Sequence, residues 1–256
     1  MSSKNVINVY WAPAQFTKED PQWNLFYSEP KPVIENLVLN TTKDSLMVKC
    51  PAARVALKNV YAFHSNIDEE INLSDLDLSA DATDTSSEQY VLPTEGKLSL
   101  KRLRRSSYSG YVNVSYNLGW ILFADQPLMA RMVAPYHPPR TPVEGAIMAT
   151  GAFDIGQWYR PMNLDYHIPY SAKKFSVKEN EPLAFVEFQT EAEIKFHRYQ
   201  LTPLLHNLAG ECATSIEKFG PRMSLKNKYK LFTKSKMRNI VLTEIQKNLA
   251  TPEETK

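Results

Sequence analysis

Two histidines and one carboxylate in the middle of the chain have the side-chain types of a metal site. Asp165 and His167 are two residues apart in LDYHIP, so they share one face of a strand, and His197 follows in the strand-like segment EIKFHR. Two imidazoles and a carboxylate on neighbouring strands of a β-sandwich are the ligand set of cupin-like iron or manganese sites. The usual H-x-H with a following Glu is absent, so polar residues on a solvent-facing strand are the favoured alternative, and a divalent metal is the alternative cofactor.

A second set of residues could bind a planar ligand. The segment FDIGQWYRP brings together an acid, a base and two stacking rings, namely Asp154, Trp158, Tyr159 and Arg160. This combination can bind sugars or planar molecules through the rings and the charges. An internal Asp154–Arg160 pair that braces a corner of a sheet is the alternative, and we favour it.

Two basic segments could contact an anion. The first lies within KLSLKRLRR and contains Lys101, Arg102, Arg104 and Arg105; the second lies near the C-terminus and contains Lys234, Lys236 and Arg238. Contact with phosphate or polynucleotide is one interpretation. Neutralisation by the acidic segment 66–90, and an ordinary solvated helix face, are the alternatives. The formal net charge of +2 is too small to indicate nucleic-acid binding by the chain as a whole.

No recognised catalytic motif is present. The chain has no G-x-S-x-G, phosphate-binding loop, G-x-G-x-x-G, H-E-x-x-H or C-x-x-C. Its two cysteines, Cys50 and Cys212, are interpreted as buried or incidental thiols. We therefore assign no catalytic residue and favour a function in binding over a function in catalysis.

The elements that must position these residues are mainly strands. Leu164, Tyr166 and Ile168 alternate with polar residues, which is the period of a half-buried strand, and a short apolar run follows at Leu183–Phe188. Short strands joined by polar turns indicate an antiparallel arrangement. The predicted fold class is α+β: a mainly antiparallel β-sandwich, cupin-like or jelly-roll-like, followed by a helical segment.

The predicted organisation has a β core over residues 1–200 and a helical C-terminal segment over residues 201–256. In the core we predict strands at Val33–Leu39, Leu46–Cys50 and Val55–Phe63, and a turn at 117–119 between strands at Tyr111–Tyr116 and Trp120–Phe123. The segment 66–90 is predicted to be a mobile acidic loop. The similar rhythm of ADQPLMARMV and ENEPLAFVEF suggests two related half-sheets or a shared turn. In the C-terminal segment one helix starts at Pro203 and a second runs from Lys234 to Ala250.

Targeting and membrane signals are missing from the sequence. The N-terminal segment lacks the apolar region of a secretory signal, and no stretch approaches about 18 apolar residues. We therefore expect a cytoplasmic protein that does not enter a membrane.

Three segments carry a family resemblance. NLGWILFADQPLMARMVAPYHPP, GAFDIGQWYRP and ENEPLAFVEF resemble uncharacterised proteins of T4-like tailed bacteriophages and bacterial hypothetical proteins, over about Tyr108–Gln200. The resemblance implies a phage-type or bacterial β protein, in the host cytoplasm if phage-encoded, and transfers no catalytic residue.

The predicted function is that of a non-catalytic binding or assembly protein, such as a phage accessory or structural protein. The expected partner is another protein or a second copy of the chain. A cupin-like metal-dependent enzyme acting on a small molecule, and a nucleic-acid-binding protein that uses the basic segments, are the alternatives.

Overall fold

The computed structural model describes residues 5–14, 27–40, 49–66, 68–73, 100–105, 108–136, 141–218 and 225–250. Strands dominate the first 200 residues, and helices follow them. Nearly all strand pairs are antiparallel. The prediction of an α+β protein with a mainly antiparallel sandwich and a C-terminal helical segment is therefore confirmed.

The larger sheet, sheet A, is built around one long strand. Its strands, in spatial order, are β13 (Glu193–Arg198), β1 (Val6–Pro13), β6 (Tyr111–Ala124), β10 (Pro161–Pro169) and β8 (Ile147–Met148). A sixth strand, β5 (Leu100–Arg105), pairs with the first half of β6. It lies on the same side of β6 as β1, which pairs with the second half. Among the described strand pairs, only β1 and β13 run parallel.

The second sheet, sheet B, lies opposite sheet A. Its strands, in order, are β2 (Lys31–Pro32), β3 (Val60–His64), β12 (Pro182–Phe188), β7 (Met129–Val133) and β9 (Gly151–Asp154). The two segments of similar rhythm form β7 and β12, which are direct neighbours in this one sheet. A separate pair joins β4 (Glu69–Asn72) to β11 (Lys174–Val177).

Both faces of sheet A are covered, because successive residues of its central strands are apolar and point to opposite faces. On β1, Ile7, Val9 and Trp11 pack into the core between the sheets, whereas Tyr10 and Ala12 pack into a second core under the C-terminal helices. These helices are α3 (Pro203–Lys218), α4 (Leu225–Lys234) and α5 (Met237–Lys247). A strand that is apolar on both faces must be covered twice, and the helices supply the second cover.

The far face of sheet B is covered by a helix where the sequence analysis predicted a strand. Residues 33–40 form α1 (Val33–Asn40), and Val33 is buried against Val60 and Phe185. The predicted strand at Val55–Phe63 is also wrong in its first part, because α2 (Pro51–Ala56) precedes β3. In both places the short apolar run fits the period of a helix as well as that of a strand, so contacts with the rest of the fold decide which one forms. Residues 46–48 of the predicted partner strand lie outside the described residues.

The acidic segment and the C-terminal helices also differ from their predictions. Part of the supposed loop, Glu69–Asn72, is strand β4, and Tyr116 donates a hydrogen bond of 3.1 Å to the Glu69 carboxylate. Position 67 and residues 74–90 lie outside the described residues. The helix start at Pro203 is confirmed. The second helix begins at Met237, and α4 precedes it without having been predicted.

The predicted turn at 117–119 does not form, because β6 continues through it to Ala124. Gly119 has a φ of +80°, a conformation that glycine adopts without strain. Its carbonyl accepts a hydrogen bond of 2.7 Å from the N–H of Ala14. Gly119 therefore produces a local irregularity within a continuous strand and not the reversal of a hairpin.

Replacing Gly119 with alanine is expected to lower the free energy of unfolding by about 1–3 kcal/mol. The added Cβ would collide with the ring and hydroxyl of Tyr27, which is itself packed on Trp120, and the positive φ would be strained. Urea denaturation measures the change. Gly151→Ala is the matched control, since a Cβ there meets nothing within 4 Å. Equal losses for both variants would contradict the prediction.

Candidate functional site

The three residues of the predicted metal site do not come together. Asp165 and His167 lie on β10, where His167 is opposite Asn113 of β6, whereas His197 lies on β13 at the level of Phe123 of β6. Asn113 and Phe123 are ten residues apart in one strand, about 33 Å along it. Within the described ranges no group of three metal-ligating side chains lies close enough to hold an ion. The predicted three-ligand arrangement is therefore not formed.

His197 instead belongs to a polar chain that ties β13 to β1. Its Nε2 lies 2.8 Å from Oδ1 of Asn8, and Nδ2 of Asn8 donates a hydrogen bond of 2.6 Å to Asp125. Because a carboxylate only accepts, the Asn8 amide must direct its nitrogen to Asp125 and its oxygen to His197. Nε2 of His197 therefore carries the proton. This arrangement orients the imidazole, and its role here is to connect neighbouring strands.

Asp154 braces a corner of the molecule, but Arg160 is not its partner. Its Oδ1 accepts hydrogen bonds of 2.9 Å from the backbone N–H groups of Leu128 and Gly156, and its Oδ2 accepts one of 2.6 Å from Gln157. Arg160 donates instead to the carbonyl of Pro161, at 3.3 Å. Asp154 therefore stabilises this corner by accepting hydrogen bonds from backbone N–H groups.

The two rings of the predicted ligand-binding set are core residues. Trp158 is 4% exposed and lies 5.3 Å, between ring centroids, from Tyr229 of α4. Tyr159 is fully buried, and its hydroxyl lies 2.9 Å from that of Tyr199. Both rings therefore fill the space between sheet A and the C-terminal helices, where they cannot stack on a ligand.

The C-terminal basic residues do not act as one anion site. Arg238 donates through Nε to the carbonyl of Gly156 at 2.8 Å and through its terminal nitrogen to the carbonyl of Asp125, so it anchors α5 to sheet A. Lys234 and Lys236 are exposed. Strand β5, with Lys101, Arg102, Arg104 and Arg105, pairs with residues 112–116 of β6, away from these helices; its side chains lie outside the description. The two basic segments are therefore separate surfaces.

A cluster of aromatic and polar side chains lies beside β5, on the face of sheet A that points away from sheet B. Residues that are opposite each other in antiparallel strands share a face, and His167 is opposite both Asn113 and Ile147. The Tyr108 ring stands edge-on to the His167 ring, with centroids 4.8 Å apart, and lies 6.2 Å from the Tyr111 ring. We call Tyr108, Tyr111, Asn113, Ile147 and His167 the aromatic face.

The aromatic face is accessible and chemically mixed. Tyr108 is 50% exposed and Ile147 is 44% exposed, which is unusual for large apolar side chains beside a core. Oδ1 of Asn113 is buried and has no hydrogen-bond partner, so it lies beneath the surface that a ligand can reach. The face can therefore offer ring surfaces to a ligand, next to a strand in which four of six residues are basic.

Sequence reasoning found His167 and the basic strand but missed Tyr108, Tyr111 and Asn113. The signal was present in SYSGYVNVSY, where Tyr111, Asn113 and Ser115 alternate with the buried Val112 and Val114. That period places Tyr111 and Asn113 on the face opposite the core. The stacking of Tyr108 on His167, 59 residues later, carries no local signal.

No family model, curated protein or solved structure matches the chain. None of the helices within the described ranges is long and apolar enough to cross a membrane. What the chain binds has therefore to be argued from its own residues.

Proposed function

We propose that this protein is a non-catalytic binding protein that holds single-stranded nucleic acid on the aromatic face, next to β5. The observation that carries the proposal is the exposed Tyr108 ring, packed edge-on against His167 of β10, with one strand, β6, between β10 and the most basic of the described strands, β5. Aromatic rings on which bases stack, beside positive charge that follows the phosphates, are the usual components of single-strand binding surfaces.

The strand register supports this combination. In β5, Lys101 pairs with Ser115, and Arg105 pairs with Val112, so β5 runs directly beside the segment of β6 that carries Tyr111 and Asn113. Neighbouring strands are about 4.8 Å apart. A backbone of phosphates following β5 would therefore bring its bases within reach of the aromatic face.

A single strand fits this surface better than a duplex does. Bases in a duplex are already stacked and paired, so protein rings on a sheet face can contact them only after the strands separate. Stacking itself tolerates any base.

The other functions considered from the sequence have less support. A metal-dependent enzyme needs Asp165, His167 and His197 to converge, and they lie on strands far apart along β6. The resemblance to proteins of T4-like phages, and with it the role of a phage accessory or structural protein in the host cytoplasm, stays a prediction. A binding role for single-stranded nucleic acid is compatible with it.

Replacing Tyr108 with alanine is expected to weaken binding of a fluorescent oligonucleotide about 5- to 150-fold, because one stacked base is worth about 1–3 kcal/mol. Fluorescence anisotropy with single-stranded oligothymidine and oligouridine measures the change and separates DNA from RNA. Tyr108→Phe keeps the ring and should bind like the parent. Leu231→Ala, which removes an equally exposed apolar side chain from α4, is the control and should have no effect.

The charge part of the same prediction compares the two basic segments. Lys101→Glu should weaken binding and flatten its dependence on salt, because fewer counterions are released and Lys101, opposite Ser115, is placed by the register on the face of Tyr111 and Asn113. Lys234→Glu makes the same charge change on the C-terminal helices and should leave binding unchanged. The proposal fails if the parent binds no oligonucleotide at low salt, or if the C-terminal variant has the larger effect.

A further inference from the structure

Strand β13 forms one edge of sheet A among the residues that the structure describes. It is the terminal strand of the sheet, with β1 as its neighbour. The N–H of Glu193 donates to the carbonyl of Asn5, and the N–H of Tyr199 donates to the carbonyl of Trp11. In a parallel pair every second residue bonds to the neighbour. Odd-numbered residues of β13 therefore bond to β1, and Ile194 and Phe196 direct their N–H and C=O groups away from the sheet.

Just beyond the C-terminal end of β13, this edge already pairs with an antiparallel segment of the same chain. The N–H of Ala250 donates to Arg198, at 2.9 Å, and the N–H of Gln200 donates to Asn248, at 2.8 Å. This pairing confirms the direction deduced for the even-numbered residues. In the part of the chain that is described, no segment pairs with the outward groups of Ile194 and Phe196.

We propose that a second copy of the chain pairs with this edge, so that two β13 strands lie antiparallel and the two A sheets become continuous. Open edges with unpaired N–H and C=O groups are templates for strand addition. A two-fold axis makes the contact self-complementary, as in most homodimers. Residues whose backbone groups point outward must pair with one another, which limits the register to a few possibilities.

Charge selects one of these registers. With the two-fold axis at Ile194, each Glu193 lies opposite Lys195 of the partner subunit, and both side chains are exposed. An axis at Lys195 would place Lys195 opposite its own copy, which is repulsive. An axis at Phe196 would place Ile194 opposite Arg198, where Ala250 already pairs. The dimer is therefore centred on Ile194 and contains two Glu–Lys pairs.

Sedimentation analysis of charge variants tests the dimer. Lys195→Glu places Glu opposite Glu twice, and Glu193→Lys places Lys opposite Lys twice, so each should raise the dimer dissociation constant at least about tenfold. The double variant, with Glu193→Lys and Lys195→Glu, exchanges the partners and should return the constant to within about threefold of the parent.

Three outcomes would overturn the dimer: a parent that stays monomeric up to about 1 mM, single variants that dimerise like the parent, or a double variant that stays dissociated. Circular dichroism of each variant shows whether it is folded, and the two side chains are exposed, so the fold should be retained. The edge at β13 is distinct from the aromatic face, so Tyr108→Ala should leave dimerisation unchanged.

Discussion

Raising the pH above 10 is expected to unfold the protein cooperatively, because the buried tyrosines ionise much more readily in the unfolded chain, where water solvates the phenolate. Burial raises the pKa of Tyr27 to about 12. Burial also raises the pKa of four further tyrosines, and the Glu69 carboxylate adds to the effect at Tyr116; these four are Tyr116, Tyr159, Tyr166 and Tyr199. The five rings lie in the two cores that flank sheet A.

The sign of the effect follows from proton binding. In the unfolded chain a tyrosine has a pKa of about 10, so above this pH the unfolded state binds fewer protons than the folded state. The contribution of these tyrosines to stability is therefore constant below about pH 10 and falls as the pH rises toward 12. Each tyrosine contributes about 1.4 kcal/mol per pH unit, and five contribute about 7 kcal/mol, which is comparable with the total stability of a typical domain.

Urea denaturation at several pH values between about 8 and 11 measures this dependence, together with tyrosinate absorbance. Tyr166→Phe should flatten the fall in stability while changing little at neutral pH, because its hydroxyl lies 3.5 Å from its acceptor, the carbonyl of Leu183. Tyr108→Phe changes an exposed ring and should leave the dependence as it is. Tyrosinate formed at an ordinary pKa in a protein that stays folded would contradict the expectation.

Replacing Asp154 with alanine is expected to lower the free energy of unfolding by about 3–5 kcal/mol, because two buried backbone N–H groups lose a charged acceptor together. The N–H groups are those of Leu128 and Gly156. The loss would spread further, since the carbonyl of Gly156 accepts from Arg238 and so holds α5. A Cβ at Gly156 would collide with the backbone of Gln126, which shows how closely the two chain segments approach.

Two matched variants separate this explanation from the ion pair that the sequence suggested. Asp154→Asn keeps an oxygen for both backbone donors, so it should cost only about 1 kcal/mol. Arg160→Ala removes the supposed partner and should change the stability by less than about 0.5 kcal/mol. Urea denaturation measures all three variants, and near-ultraviolet circular dichroism of Trp158 reports on the corner. If Arg160→Ala costs as much as Asp154→Ala, the backbone explanation is wrong.

The sequence by itself determined the features that depend on local period. Leu164, Tyr166 and Ile168 alternate, and they are the buried side of β10; Pro203 begins a helix, and it does so in the structure. Such patterns report on one strand or one turn, because a side chain's direction repeats every two residues in a strand and every 3.6 in a helix. They were sufficient for the α+β class and for strands such as β10 and β12.

Only the tertiary structure decided which residues meet. Asn8 and His197 are 189 residues apart, and they touch because β1 and β13 pair in parallel, which no local period indicates. Val33–Asn40 became a helix because Val33 had to cover the far face of sheet B. Contacts between distant segments depend on strand order and register, and these are set by the packing of the whole core and not by any one stretch.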